Sequence, residues 1–278
     1  ILKEIVEEGL LSADHIFIDS THVKASANKR KFDKKMVRKE TRAYEEKLQE
    51  ELNINREKNG KKPFSKEKFE REEFKEIKES TTDPESGYYV KDERTKQFAY
   101  SFHAATDERG FVLGTIVTPG NIHDSHILQP LVEKVIEKVK KPLAVAADAA
   151  YKTPAITNFL LENQMLPVLP YTRPKTKDGF FRKHDYVYDE HNDCYICPND
   201  QMLPYVTTTK EGYRQFKSNP TICANCPFLQ QCTESKNHTK LIQRHIWEAY
   251  VEEAEHLRHH EEIKLIYAKR KETIERVF

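Results

Sequence analysis

A short apolar run that ends in an acid constrains the fold of this chain most. Residues 143–147 read Leu-Ala-Val-Ala-Ala, and Asp148 follows directly. Such a run is typical of a strand buried on both faces, as in the parallel part of an α/β sheet. A second apolar run, from His15 to Ile18, ends in the same way at Asp19. The two runs predict an α/β protein with acids at the ends of neighbouring strands.

The remaining periodic segments fit the same fold class. Alternating residues over 97–106 and 111–117, joined by a turn, predict a β-hairpin. Helical spacing predicts an amphipathic helix over 123–139. Thr153 followed by Pro predicts the start of a second helix that ends near residue 162, and residues 165–170 predict a last short strand.

Two segments depart from this pattern and are predicted to be insertions. Residues 24–80 are rich in Lys and Glu and predict one or two exposed helices, separated by a break at Gly60 to Pro63. Residues 171–240 are irregular and contain all five cysteines. The predicted organisation is 1–23, start of the core; 24–82, charged helical insertion; 83–175, rest of the core; 176–242, cysteine-rich, loop-rich insertion; 243–278, C-terminal helix.

The acids at the strand ends favour a metal site. Ligands of α/β sheets bind outside the carboxyl ends of the strands, where Asp19 and Asp148 are predicted to lie. Two carboxylates and a third acid from a packed helix would offer the oxygen ligands that Mg²⁺ or Mn²⁺ prefers. A pair of such ions can activate a nucleophile and stabilise a leaving oxygen in phosphodiester chemistry. The alternative is that each Asp caps a turn.

Four ordered motifs carry a family resemblance. Phe17-Ile18-Asp19-Ser20-Thr21, Asn121-Ile122-His123-Asp124-Ser125, Ala147-Asp148-Ala149-Ala150-Tyr151 and Glu272-Thr273-Ile274-Glu275-Arg276-Val277-Phe278 together resemble the DDE transposases of bacterial insertion sequences, in the branch with a cysteine-containing insert before the last acid. The resemblance implies a ribonuclease-H-like mixed sheet with helices. It also implies a triad of Asp19, Asp148 and Glu275 that holds two Mg²⁺ or Mn²⁺ ions.

The sequence departs from the family pattern at several points. Ala150 stands where the family usually has Gly, and the spacing from Arg270 to Glu275 is one residue longer than the commonest form. Glu272 is a rival for the third acid. The family's N-terminal DNA-binding region and its last basic residues would lie beyond Ile1 and Phe278. The chain is therefore expected to be the catalytic portion of a transposase.

The cysteines favour a structural zinc site. Cys223 and Cys226 are separated by two residues, as are Cys194 and Cys197, which is the spacing of a zinc ribbon. Cys232 is an alternative fourth ligand. The resemblance implies the set Cys197, Cys223, Cys226 and Cys232, with Cys194 as the alternative. Free thiols are the competing interpretation.

Charge is distributed unevenly along the chain. The net charge is only +1, but Lys24 to Arg42 carries nine Lys and Arg against two acids, a local charge of +7 close to Asp19. This segment is predicted to contact a DNA backbone. Residues 171–177 offer a second basic edge, and Trp247 is predicted to pack rather than to stack on bases. The predicted DNA-binding residues are Lys24, Lys29, Arg30, Lys31, Lys34, Lys35, Arg173 and Arg270.

Three residues are predicted to support the site: His123, Asp124 and Tyr151. Asp124 is expected to cap the following helix, and His123 to pack on the turn. A His-Asp pair of this kind also occurs in metal-dependent phosphohydrolases, but that chemistry needs further His and Asp residues, and His126 and His259-His260 fit no known spacing for it.

The motifs together predict a transposase enzyme that cleaves and joins DNA. Its expected partners are the terminal repeats of the element, target DNA and further copies of the chain, with no membrane contact. The expected location is the bacterial cytoplasm, at the nucleoid. The alternatives are a truncated DNA-binding remnant without activity, or another metal-dependent nuclease or phosphohydrolase.

Overall fold

The computed structural model describes residues 4–5, 8–9, 11–38, 44–65, 69 and 74–278. The strands are β1 (His15–Lys24), β2 (Phe32–Arg38), β3 (Phe74–Ser80), β4 (Gly87–Val90), β5 (Lys96–Thr106), β6 (Val112–Pro119), β7 (Ala144–Ala146), β8 (Leu166–Val168), β9 (Val187–Asp189), β10 (Cys194–Ile196), β11 (Met202–Thr208), β12 (Tyr213–Lys217) and β13 (Leu241–His245). The helices are α1 (Glu45–Lys58), α2 (Leu128–Lys138), α3 (Pro154–Glu162), α4 (Pro220–Cys223), α5 (Leu229–Cys232), α6 (Glu248–Leu257) and α7 (Glu261–Ala268).

The chain divides into two compact units. We call one the sheet unit, formed by Ile1–Ala43, Glu72–Tyr171 and Ala249–Phe278. We call the other the cysteine unit, formed by Tyr44–Arg71 and Thr172–Glu248. Among the described residues of both units, no helix is long and apolar enough to cross a membrane.

The sheet unit contains a mixed eight-stranded sheet. Its order is β2-β3-β4-β5-β1-β7-β8, and β6 pairs with β5. The pairs from β2 to β1 are antiparallel, as is the β5–β6 hairpin, whereas β1, β7 and β8 run parallel. This arrangement confirms the predicted mixed α/β class, the hairpin and the buried strand at 144–146.

The sheet has an apolar core on each face. One face packs against α2 and α3, because Ile16 and Ile18 of β1 meet Leu131 and Leu160 of those helices. Phe17, which alternates with them along β1, packs on the other face with the C-terminal segment. α3 begins as predicted, since the Thr153 side chain accepts a hydrogen bond from the Ile156 N–H.

The predicted charged helical insertion is largely wrong for the described residues. α1 is helical as predicted, and it ends at Lys58 before the predicted break at Gly60, which has a φ of +66°. β2 and β3 instead form an antiparallel ribbon in which Lys34 pairs with Glu76 and Lys35 with Glu79, each at 2.9 Å. Cross-strand pairing of opposite charges thus overrides the helix propensity of Lys and Glu. Residues 39–43, 66–68 and 70–73 lie outside the described residues.

The region predicted to be loop-rich carries a sheet of its own. β9 to β13 form a five-stranded antiparallel sheet in the order β13-β12-β11-β10-β9. Its core consists of the buried side chains Tyr186, Tyr195, Leu203, Phe216 and Ile242. These aromatic and branched residues favour strands, but the short runs between Cys, Pro and Asn concealed the pattern.

The single helix predicted over residues 243–278 is also wrong. α6 ends at Leu257, α7 starts at Glu261, and two 3₁₀ turns follow, Lys269–Glu272 and Ile274–Arg276. The break between those turns lies at Thr273, whose φ and ψ are −110° and −97°. The Thr273 hydroxyl donates a hydrogen bond to the Lys269 carbonyl at 2.9 Å, which holds the broken turn.

Candidate active site

The two predicted aspartates lie on neighbouring strands, but only Asp148 follows a strand end. The prediction that Asp19 ends its strand is wrong, because β1 stays paired with β5 as far as Lys24. β1 and β7 pair in parallel with Phe17 opposite Ala146, and Asp19 and Asp148 each follow two residues later. Asp148 caps the 3₁₀ turn Ala149–Tyr151, since its Oδ1 accepts a hydrogen bond from the Ala150 N–H at 2.9 Å. The Asp19 Oδ1 accepts a hydrogen bond from the Ser20 N–H at 2.9 Å. Parallel pairing therefore brings Asp19 and Asp148 to the same level of neighbouring strands.

Asp19 is bound to a buried arginine. An Arg270 guanidinium nitrogen donates a hydrogen bond to the Asp19 Oδ2 at 2.9 Å, and the side chains are only 6% and 21% exposed, respectively. Burial raises the pKa of Asp19; Arg270 opposes this, whereas the negative charges of Asp148 and Glu275 add to it. The site thus concentrates negative charge around one carboxylate, and the described cation that neutralises it is Arg270.

The third predicted acid lies in the 3₁₀ turn Ile274–Arg276 instead of a helix. Its neighbour Ile274 is fully buried in the core on this face, while Glu275 itself is exposed. The negative charge of Glu275 contributes to the raised pKa of Asp19. The choice of Glu275 over Glu272 stays a prediction, which this electrostatic relation favours.

A second polar cluster lies on the opposite face of β1. Ser20 pairs with His103 on β5, which places both side chains on that face. The Nδ1 of fully buried His103 lies 3.8 Å from the Asp124 Oδ1, and its Nε2 lies 3.1 Å from the Thr118 hydroxyl. Burial lowers the pKa of His103, and Asp124 partly offsets this.

The motif that supplies Asp124 folds differently from the prediction. His123, not Asp124, caps the 3₁₀ turn Asp124–His126, because its Nδ1 accepts a hydrogen bond from the Ser125 N–H. Tyr151 is fully buried, and burial together with the charge of Asp124 raises the pKa of its hydroxyl. The charge of Asp124 thus acts in the direction that raises the pKa of both His103 and Tyr151.

The oxygen ligands present suit Mg²⁺ or Mn²⁺, but they are not gathered into a complete site. Within the described ranges, no three His, Cys, Asp or Glu side chains are close enough together to hold a metal ion. This holds for the carboxylates near Asp19, for His123 and Asp124, and for the cysteines. One cation is already present in this cluster, because the positive charge of Arg270 lies beside the Asp19 carboxylate.

The predicted DNA-binding lysines fall into two groups. Lys34 and Lys35 are paired with acids of β3. The turn between β1 and β2 carries Lys29, Arg30 and Lys31, which are exposed and form no ion pair with the described residues. Lys24, at the end of β1, is also exposed. The unpaired cations at this turn are available to an anionic partner.

In the cysteine unit, four of the five thiols line one small cavity: Cys197, Cys223, Cys226 and Cys232. All five cysteines are free, and Cys194 is buried on β10 instead. Burial raises the pKa of the Cys232 thiol, which lies 3.2 Å from the Tyr186 hydroxyl.

Arg173, also in this unit, is exposed. Trp247 is buried and donates a hydrogen bond to Glu51 at 2.6 Å, in agreement with a packing role.

The sequence reasoning missed the histidines near Asp124 and the anchor of the C-terminal segment. His22 stacks on Tyr89 with ring centroids 3.7 Å apart, and His103 faces Asp124. Both are polar residues within strands whose other residues follow a β pattern. This interruption of the alternation is a sequence signal that could have identified them. The pairing of Glu108 with Lys269, 161 residues away along the chain, has no local signal.

One comparison with known proteins gives a match. Residues 196–278 match a family model described as a transposase DDE domain. Comparisons with curated proteins and with solved structures give no match. The matched residues include Cys197, the later cysteines and Glu275, and they do not reach Asp19 or Asp148. The match confirms the resemblance of this chain to the DDE transposases.

Proposed function

We propose that this chain is the catalytic domain of a transposase that cleaves DNA and transfers the cut strand in a metal-dependent reaction. The observation that carries the proposal is the placement of Asp19, on β1, and Asp148, just after β7, each two residues beyond the paired residues Phe17 and Ala146. Glu275, within the part of the chain that matches the family model, is the proposed third acid.

The strand order supports a ribonuclease-H-like fold. Without β2 to β4, the sheet reads β6-β5-β1-β7-β8, with antiparallel pairs on one side of β1 and parallel pairs on the other. The resemblance implies the first acid on the first core strand and the second on the fourth. Asp19 lies on β1, and Asp148 follows β7, the fourth of these strands.

In the proposed reaction, the three carboxylates hold two Mg²⁺ or Mn²⁺ ions. The ions, when bound, would supply an activated nucleophile and stabilise the leaving oxygen of a phosphodiester. The chain's own acids would fix the positions of the ions, and Tyr151 would fill the space behind the Asp148 turn, since it is fully buried there.

The basic turn supports DNA as the substrate. Lys29, Arg30 and Lys31 follow β1, the strand that carries Asp19, and their charges are not balanced by acids of the described chain. Phosphate contacts by such residues position a duplex without reading its sequence. Contacts from the exposed residues Lys24 and Arg173 are also proposed. Lys34, Lys35 and Arg270 pair with acids of the chain, so their predicted DNA contacts require those pairs to open. Homo-oligomer formation and a location at the bacterial nucleoid also stay predictions.

We also propose a structural zinc ion in the cysteine unit, held by the four thiols that line the cavity. A zinc ion would bring the four thiols together. It would also stabilise the deprotonated form of Cys232, which burial disfavours. Cys226→Ser is expected to lose the bound zinc, while Cys194→Ala, the matched control, is expected to keep it. Zinc measured by mass spectrometry tests this; equal zinc in both variants, or none in the wild type, would contradict it.

A plasmid-nicking assay tests the proposed reaction. The full chain is incubated with supercoiled DNA and Mn²⁺, and nicked circles are counted. Asp19→Asn, Asp148→Asn and Glu275→Gln are each expected to lower the rate at least about 100-fold, since a buried-site charge that stabilises the transition state contributes several kcal/mol. Glu272→Gln, a matched control three residues from Glu275, is expected to retain activity.

The same assay separates the competing interpretation. The carboxylates are not gathered into a three-ligand site in the described residues, an observation that favours a DNA-binding remnant without activity. A remnant would bind the plasmid in a gel-shift assay yet give no Mn²⁺-dependent nicks. Nicking that survives in both Asp variants would instead show another nuclease chemistry.

A further inference from the structure

Two consecutive cations attach the C-terminal segment to the sheet. Lys269 pairs with Glu108 of the β5–β6 turn at 2.6 Å, and Glu108 also contacts His15 at the start of β1. Arg270, the next residue, pairs with Asp19 at 2.9 Å. We call these two ion pairs the anchors of the C-terminal segment. The Lys269–Glu108 anchor lies outside the acidic site, and the Arg270–Asp19 anchor lies within it.

The two anchors differ in what they hold. The Lys269 and Glu108 side chains are 46% and 28% exposed, so solvent weakens their attraction. The Arg270 side chain is 6% exposed, and its Nε has no hydrogen-bond partner among the described residues. Its one carboxylate partner in that part of the chain is Asp19, and its guanidinium lies 5.7 Å from the Tyr267 ring centroid. Arg270 is thus a buried charge held by a single carboxylate.

We propose that Arg270 is the resident counter-cation of the metal-free site, and that its guanidinium must leave Asp19 before a divalent ion binds there. The proposal rests on the proposed function. The Lys269–Glu108 pair keeps the backbone of the segment in place during this exchange. Arg270 is then a positioning residue that holds the Asp19 carboxylate in place until the ion binds.

Charge supports the exchange. Asp148 and Glu275 both act on Asp19, so removal of every cation would leave mutually repelling carboxylates in a partly buried place. A guanidinium and a divalent ion on the same carboxylate repel each other, so a divalent ion binds Asp19 more tightly once Arg270 has moved away. In the structure Arg270 occupies Asp19, and the described acids form no three-ligand group.

Calorimetric titration of the full chain with Mn²⁺ alone, without DNA, tests the proposal. Arg270→Gln removes the competing charge and is expected to bind Mn²⁺ about 10- to 100-fold more tightly than the wild type, the range that one charge-assisted hydrogen bond contributes. Arg270→Lys keeps the charge and should stay near the wild type. Glu108→Gln, the control that breaks only the other anchor, should leave the affinity unchanged. Asp19→Asn should bind poorly.

A second measurement uses the wild-type chain, in case Arg270→Gln does not fold. The ¹⁵N resonance of the Arg270 guanidinium, assigned by its loss in Arg270→Lys, should move when Mg²⁺ is added. An unmoved resonance, or equal Mn²⁺ affinity in wild type and Arg270→Gln, would overturn this inference while Asp19-dependent binding upheld the proposed function. Absence of Mn²⁺ binding in every variant would overturn both.

Discussion

Gly87, at the start of β4, gives a sharp test of how the Asp124 loop is held. A Cβ at this position would lie 2.5 Å from the backbone nitrogens of both Gly120 and Asn121, and would also collide with the Asn121 Oδ1. Gly114, in β6, is the matched control, because its Cβ would meet only side-chain carbons of Val135 and Leu131 at 3.4 and 3.5 Å.

The two substitutions should therefore differ in stability. Backbone atoms cannot yield as a flexible side chain does, so Gly87→Ala is expected to cost about 1–3 kcal/mol, the usual range for overpacking. Gly114→Ala should be neutral or slightly stabilising, since it also restricts the unfolded chain. Displacement of Gly120 and Asn121 would move Asp124, three residues after Asn121, away from His103.

Urea denaturation followed by circular dichroism measures the difference. Gly87→Ala should lower the midpoint at an unchanged slope, and Gly114→Ala should not. The Nδ1 and Nε2 resonances of His103 should shift in Gly87→Ala alone. Equal midpoints for the two variants would refute the close backbone approach at Gly87, and with it the account of how the loop is held.

Three further outcomes follow from single residues. Burial lowers the pKa of His245 to about 4. The wild type should therefore lose stability as the pH falls from about 6.5 to 4, whereas His245→Gln should not. Fluorescence of Trp247, the single Trp, follows unfolding. The hydrogen bond to Asp83 raises the pKa of Tyr100 to about 12. The stability that this bond gives the folded protein should be complete below about pH 10 and lost between pH 10 and 12. Tyr100→Phe should remove this pH-dependent loss of stability. Leu52→Ala, at a fully buried position of α1, should lower the free energy of unfolding by about 2–5 kcal/mol, and a smaller change in urea denaturation would contradict its core position.

The neighbouring positions of Asp19 and Asp148 were the most predictable part of the site. The apolar runs before Asp19 and Asp148 predict strands buried on both faces, and such strands pair side by side in an α/β sheet. Local sequence therefore contained the information for the relation between these two acids. The start of α3 at Thr153 and Pro154 was predictable for the same reason, because capping depends on adjacent residues. The continuation of β1 beyond Asp19 was not predictable, because its partner there is β5.

The strands of the charged segment were not predictable in this way. Lys34 and Glu76 belong to strands 42 positions apart, and each alone favours a helix. Only their pairing in the ribbon makes the extended form favourable. The same limit applies to Arg270: its residue type indicates phosphate binding, while the fold places it against Asp19. Long-range ion pairs decide both positions, and a linear pattern does not show them.

Glu275 illustrates a third limit. Its sequence spacing favoured a helix, but Thr273 breaks the helix and leaves Glu275 in a 3₁₀ turn. The fully buried Ile274 fixes that turn against the sheet core, so tertiary packing sets the direction of the segment. The identity of the acid could be predicted from the motif, whereas its local geometry could not.

Asp19, Asp148 and Glu275 are proposed to bind divalent metal together. Anomalous diffraction from crystals of the full chain soaked in Mn²⁺ tests this proposal. An anomalous peak is expected within bonding distance of the Asp19 and Asp148 carboxylates, with Arg270 moved away from Asp19. A Mn²⁺ peak elsewhere, or none while Arg270 stays on Asp19 in saturating Mn²⁺, would contradict it.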